Sequence, residues 1–331
     1  MPSATAPLII ALCLWLFPEV AHAAGPPPLE LETKIPLGDV KGRIDHFAID
    51  LDRQRLFVAE LGNDSVGVID LKERKLSRTI TGLSAPQGVG YVRSTDTLYV
   101  ANAGDGSVHL FQGAELTPNG RIELDDDADN IRVDTQSNRV YIGYGDGALS
   151  VVDPSSRAKI ANIPLQGHPE SFQIDRAGGR IFVNVPDAKH IAVIDITSEK
   201  QVMTWPARDA RTNFPMAFDS EAARVIVGFR EPARLMAFDA RDGHALANLD
   251  LCGDTDDVFV DSKRHRIYVS CGEGAVDVFE ERGTGYARIA RVPTVTGART
   301  SFFVPEIDRL FVAVRATARE PAAVWVFQPT P

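Results

Sequence analysis

The stretch Gly88-Val89-Gly90-Tyr91-Val92-Arg93-Ser94-Thr95-Asp96-Thr97-Leu98-Tyr99-Val100-Ala101 holds two short apolar runs joined by a polar turn. Its hydrophobic pair, Leu98-Tyr99, is one of seven. The others are Leu56-Phe57, Val140-Tyr141, Ile181-Phe182, Val225-Ile226, Ile267-Tyr268 and Leu310-Phe311, at steps of 42, 42, 41, 44, 42 and 43 residues. A fixed period of this size marks a repeat architecture in which each unit is one supersecondary element. Within the second unit, Gly88 to Val92, Leu98 to Ala101, Ser107 to Phe111 and Arg121 to Leu124 read as four strands. Units of four short strands at about 42 residues predict an all-β, seven-bladed β-propeller.

One strand is in excess at the front. Glu30 to Leu37 has the pattern of a fourth strand, as in Ala158 to Leu165, and the last unit, ending at Phe327, lacks one. The N-terminal strand is therefore expected to complete the last blade, which closes the ring and removes an exposed edge. Asp and Arg five apart recur in the turn after the first strand: Asp50/Arg55, Asp134/Arg139, Asp175/Arg180, Asp219/Arg224 and Asp261/Arg266. Their repetition assigns them to the scaffold, as turn formers and exposed ion pairs.

Before the repeats, the run Leu8 to Phe17 has about half the length needed to cross a bilayer. Pro18 and Ala21-His22-Ala23 follow it, so residues 1–24 read as a signal peptide cleaved near Ala23 and residues 25–331 as the propeller. The expected address is periplasmic or secreted, with no membrane span. Net charge is −10, and no basic stripe is visible, which excludes nucleic acid as a natural partner. Cys252 and Cys271, the two cysteines left after cleavage, are predicted to form a disulfide in an oxidising compartment.

Leu98-Tyr99-Val100-Ala101-Asn102, Ala85-Pro86-Gln87-Gly88-Val89 and Asp64-Ser65-Val66-Gly67-Val68-Ile69-Asp70 resemble the YVTN-type bacterial β-propeller repeat. The resemblance extends over essentially the whole mature chain. It implies a periplasmic or surface propeller and leaves activity open, since related blades occur in quinoprotein and lactonase systems.

Aligning the units on the hydrophobic pair places seven loop triplets on the face that rings the channel. They are Ile44-Asp45-His46, Pro86-Gln87-Gly88, Ala128-Asp129-Asn130, Pro169-Glu170-Ser171, Asn213-Phe214-Pro215, Thr255-Asp256-Asp257 and Ala298-Arg299-Thr300. Unlike the scaffold turns, these vary from blade to blade, as expected of a site carried on a repeating frame. The candidate ligand-binding ring is Asp45, His46, Gln87, Asp129, Asn130, Glu170, Phe214, Asp256 and Arg299. The strand-two turns on the same face add Glu60, Asn102, Asn184, His190, Arg230 and Arg315, and His168 lies beside the ring.

Four inward carboxylates repel one another, a repulsion that Ca²⁺ would relieve through oxygen ligands or a transition metal through His46 or His168. The leading expectation is a monomeric binding or accessory protein that holds a small polar ligand, a metal or a periplasmic partner protein over an acidic top face. The resemblance supplies two alternatives. One is a metal-dependent lactonase-like hydrolase, with Glu170, Asn130, Asn213 and Asp256 around a divalent cation at the axis, although gluconolactonase-like propellers have six blades. The other is service to a quinoprotein redox system. No nucleophile, haem or phosphate-loop motif is present.

Overall fold

The computed structural model describes residues 26–283 and 285–331, together with Met1; the signal segment and its cleavage point lie outside the described residues. Among the described residues, twenty-eight strands form seven antiparallel four-stranded sheets arranged as blades. The second blade comprises Pro86–Val92, Thr97–Asn102, Ser107–Gln112 and Thr117–Glu123, each within a few residues of the sequence reading.

Leu29–Pro36 pairs antiparallel with Ala323–Pro329, from Leu29 opposite Pro329 to Pro36 opposite Ala323. The last blade is thus built from both ends of the repeat array, as the surplus N-terminal strand requires. Leu29, Ile35 and Leu37 are buried there, each worth about 1.5–3 kcal/mol of transfer free energy.

Apolar side chains collect in seven clusters, one at each blade-to-blade junction. Tyr141, Phe172 and Phe182, from the third and fourth blades, are all buried. Because both faces of the second and third strands are covered by neighbouring blades, those strands read as nearly continuous apolar runs.

The repeating turns differ in one respect from expectation. Asp50, Asp134, Asp175 and Asp261 are buried, not exposed, and their carboxylates accept backbone N–H groups of the turn, as Asp175 does from Gly178 at 2.8 Å. Only Asp50 and Arg55 form the expected ion pair, at 2.9 Å. The other arginines tie one blade to the next. Arg180 donates to the carbonyl of Ala240 at 2.9 Å, Arg224 to Glu281 at 2.8 Å, and Arg266 to the carbonyl of Thr330 at 2.6 Å. A long guanidinium reaches past a carboxylate already satisfied by its own turn.

Cys252 and Cys271 are joined by a disulfide, with Cα atoms 5.8 Å apart. The bond links the entry of the sixth blade to the end of its second strand, and both residues are fully buried.

Candidate functional site

The inner strand of each blade runs along the channel, and its first residues stand at the channel mouth. In a regular strand the side chains there would alternate toward the neighbouring blades. Register shifts interrupt this between Pro86 and Val89, Ala128 and Ile131, Asn213 and Met216, and Thr255 and Asp257. The first blade does the same just ahead of its strand: Asp45 N–H donates to the Ala59 carbonyl at 2.7 Å, while Ala59 N–H donates back to the His46 carbonyl at 3.0 Å. Two residues thus oppose one, the geometry by which a β-bulge re-aims a side chain.

All nine ring residues line a single cavity of about 290 Å³ at the mouth. The cavity also includes Arg43, Asp127, His168, Ser171 and Arg230. Of these, Arg43 and Asp127 lie outside the aligned triplets and turns. Each aligns one position before its triplet, and that position is also variable: Arg43, Ala85, Asp127, His168, Thr212, Asp254 and Gly297. A window one residue wider would have found both.

The remaining turn residues act as pins. Asn184 is buried and donates to the carbonyls of Phe214 and Pro215 at 3.0 and 3.2 Å, fixing the bulge of the fifth blade. Asn102 donates to the Ser107 carbonyl at 3.2 Å, and Ser65 donates to Glu60 at 2.6 Å. None of these three lines the mouth cavity.

The carboxylates at the mouth are largely paired. Arg43 lies 2.7 Å from Asp45. Asp256 is clamped between Arg230 and Arg299, the latter at 3.0 Å, and Arg299 also holds Asp254 at 2.9 Å. Arg230 lies over the Phe214 ring, 3.9 Å from its centroid. His168 sits 3.7 Å from both Asp127 and Asp129 and contacts the Gly145 carbonyl through Nδ1 at 2.7 Å. His46 stands 3.6 Å from Asp45 and 3.8 Å from Asp129.

These surroundings separate the titrating groups. Burial opposes the charge of His168, but Asp129, the Gly145 carbonyl and Asp127 outweigh it and lift the imidazole to about 9. Burial would raise Asp129, yet His168 and Arg43 hold it below the usual carboxylate range. Burial lifts Asp45 to about 6 against the pull of Arg43, and it lowers His46, which stays a neutral imidazole despite Asp129. Glu170 stands apart. Burial, then Asp129, push it up to about 8 against the opposing pull of His168, and it makes no ion pair of its own.

At neutral pH the mouth therefore carries Arg43, Arg230, Arg299 and His168 against Asp45, Asp127, Asp129 and Asp256, with Glu170 protonated. It is close to charge-balanced, not the self-repelling acidic ring that the aligned triplets suggest. Of the four residues expected around an axial cation, Glu170, Asn130 and Asp256 line the cavity and Asn213 does not. Asn213 is fully buried, lies outside the cavity lining, and donates its amide to Asn184 at 3.0 Å and to the His190 carbonyl at 3.1 Å. Asp256 is taken by two guanidinium groups. Among the described residues no group of three or more His, Cys, Asp or Glu side chains is arranged to hold a metal ion.

No protein-family model and no curated protein sequence matches the chain. Solved structures do match in fold. A chain of the Kuenenia stuttgartiensis hydrazine synthase superposes with a TM-score of 0.75 at 17% identity, covering 87% of this chain and 97% of that one. A chain of a mitotic checkpoint complex superposes with a TM-score of 0.73 at 12% identity, covering 98% of each. At these identities the likeness is one of architecture alone.

Proposed function

We propose that this protein is a binding propeller that receives a small polar ligand in the mouth of its central channel. One observation carries the reading: the positions that vary between otherwise repeating blades converge on one cavity, where charges of both signs are paired and one carboxylic acid, Glu170, is held without a counter-ion. A scaffold that only needed a soluble face would leave such charges dispersed in water. Burying them together costs desolvation that the fold does not recover, so their convergence favours a ligand as the reason. A balanced mouth suits a neutral or dipolar ligand better than a bare cation. Protonated Glu170 offers it a hydrogen-bond donor, and Gln87 and Asn130 offer amides.

The export reading accompanies this proposal. A buried disulfide suits an oxidising compartment, and the apolar leader supplies the route. Neither alternative gains a specific observation: of the hydrolase's four ligands, Asn213 lies outside the cavity lining and Asp256 is clamped by Arg230 and Arg299, and nothing in the mouth is particular to a redox partner.

The test is a thermal-shift and calorimetric screen of the mature protein against neutral sugars, lactones, amino acids and divalent cations. A neutral or dipolar compound is expected to stabilise the wild type, with at least tenfold weaker binding to Asp129→Asn and Glu170→Gln. Stoichiometric binding of a cation that survives in neither variant would replace this reading with the metal-centred one.

A further inference from the structure

Below the mouth, the channel widens into a second compartment of about 450 Å³, reached past His46, which lines both. That volume falls in the range of small-molecule sites, roughly 300–1,000 Å³. Its wall is mainly apolar and aromatic: Phe47, Tyr91, Ile131, Phe218, Phe259 and Phe302. Phe302 stacks on Phe47 with centroids 6.4 Å apart and meets Phe259 edge-on at 6.1 Å. A chamber of this kind needs no charge-bearing side chain for its own stability, yet Arg132 and Asp257 both line it.

Arg132 comes from the inner strand Ala128–Asp134 of the third blade, and Asp257 from Thr255–Asp261 of the sixth. Three blades apart in a ring of seven, they stand on opposite walls. They make no ion pair with each other within 4.0 Å, and Asp257 makes none with any described residue. Arg132 donates to the Ile131 carbonyl at 2.9 Å and to Ser171 Oγ at 3.2 Å, which leaves three of its five N–H groups free. Asp257 accepts only the Ser301 backbone N–H, at 2.8 Å, through one oxygen. Burial, then Asp256 and Asp45, push its carboxyl well above the usual range against the pulls of Ser301 N–H and Arg132. A buried carboxyl group and a buried guanidinium, neither in an ion pair, facing each other across an aromatic chamber are costly to the fold. They are complementary to a molecule that spans the axis.

We propose that this chamber is a binding site for a zwitterionic small molecule with an apolar body, an α-amino acid of the aromatic or branched type, whose carboxylate meets Arg132 and whose ammonium meets Asp257. The aromatic wall takes the side chain. The mouth above is the entrance, and the proposal does not depend on a ligand being held there.

The probes are L-phenylalanine, L-tryptophan and L-leucine, with phenethylamine and 3-phenylpropionate as analogues that lack one charge. Calorimetry on the disulfide-intact mature protein is expected to show binding of at least one amino acid and at least tenfold weaker binding of both analogues. Asp257→Asn and Arg132→Gln should each weaken amino-acid binding at least tenfold, whereas Lys200→Gln, on the exposed outer strand of the fourth blade, should leave it unchanged. Because neither Arg132 nor Asp257 has an ion-pair partner to lose, both variants should melt no lower than the wild type, so loss of binding is not loss of fold. Failure of all three amino acids to bind, equal binding of the one-charge analogues, or binding untouched by Asp257→Asn and by Arg132→Gln would each overturn the proposal.

Discussion

Replacing Glu170 by Gln gives a stability difference whose pH dependence follows from the site. The carboxyl titrates near 8 in the native mouth against an ordinary value of 4.5. Below pH 4.5 both native and unfolded chains hold the proton, and the group contributes nothing. Between 4.5 and 8 the unfolded chain has released its proton while the native chain retains it, so stability falls as pH rises. Above 8 the full penalty is present. At 1.36 kcal/mol per unit the gap corresponds to about 5 kcal/mol, and water entering the mouth reduces this to about 2 kcal/mol. Gln has nearly the same shape, keeps a donor, and cannot ionise. Urea unfolding of both proteins at pH 5, 7 and 9, with the disulfide intact, should therefore show near-equal stability at pH 5. By pH 9 the variant should be more stable by about 2–5 kcal/mol. A difference that stays constant across this range, or shrinks toward pH 9, would refute the account of Glu170 as an acid held protonated by burial and by Asp129.

His168 has the opposite sense: an imidazole raised from 6.5 to about 9 stabilises the fold fully below pH 6.5, and that stability is lost as pH rises through 9. His168→Gln should cost about 1–3 kcal/mol at pH 6 and nothing at pH 10, read from the same urea titrations. Cys271→Ser removes a cross-link between residues 19 apart and should cost about 3 kcal/mol in the loop-entropy account; unchanged stability would show that the blade is held by packing alone. Titration of the denatured, unreduced mature chain should find no free thiol. Deleting Leu29–Pro36 leaves the edge of Ala323–Pro329 unpaired and should abolish the cooperative melt or drive self-association in gel filtration. A monodisperse monomer with an unchanged melt would mean that the ring closes without that strand.

The fold was legible because its signal is repeated seven times. One hydrophobic pair is weak; seven at steps of 41 to 44 residues fix the register, and the register assigns Glu30 to Leu37 to the gap in the last blade. The buried scaffold aspartates were legible as turn residues but not as buried ones. Burial is imposed by the adjacent blade, and the destination of each following arginine, such as Ala240 for Arg180 or Glu281 for Arg224, lies about sixty residues away.

The site was legible as a set of positions and not as an electrostatic state. Alignment places Asp45, Asp129, Glu170 and Asp256 on one ring, and read as a column they repel. Apart from Arg299 on the ring itself, what neutralises them comes from other registers and other blades: Arg43 one position ahead of its triplet, Arg230 from a second strand of the fifth blade, and His168 from the loop before the fourth. The bulges hide the remainder. A period-two reading of Ala128-Asp129-Asn130-Ile131 places Asp129 and Asn130 on opposite faces, whereas the register shift turns both into one cavity. Carboxylate count along the chain therefore overstates the charge of the mouth. The group that remains distinctive is Glu170, to which the ring gives no arginine, and across the chamber below it the pair that remains open is Arg132 and Asp257.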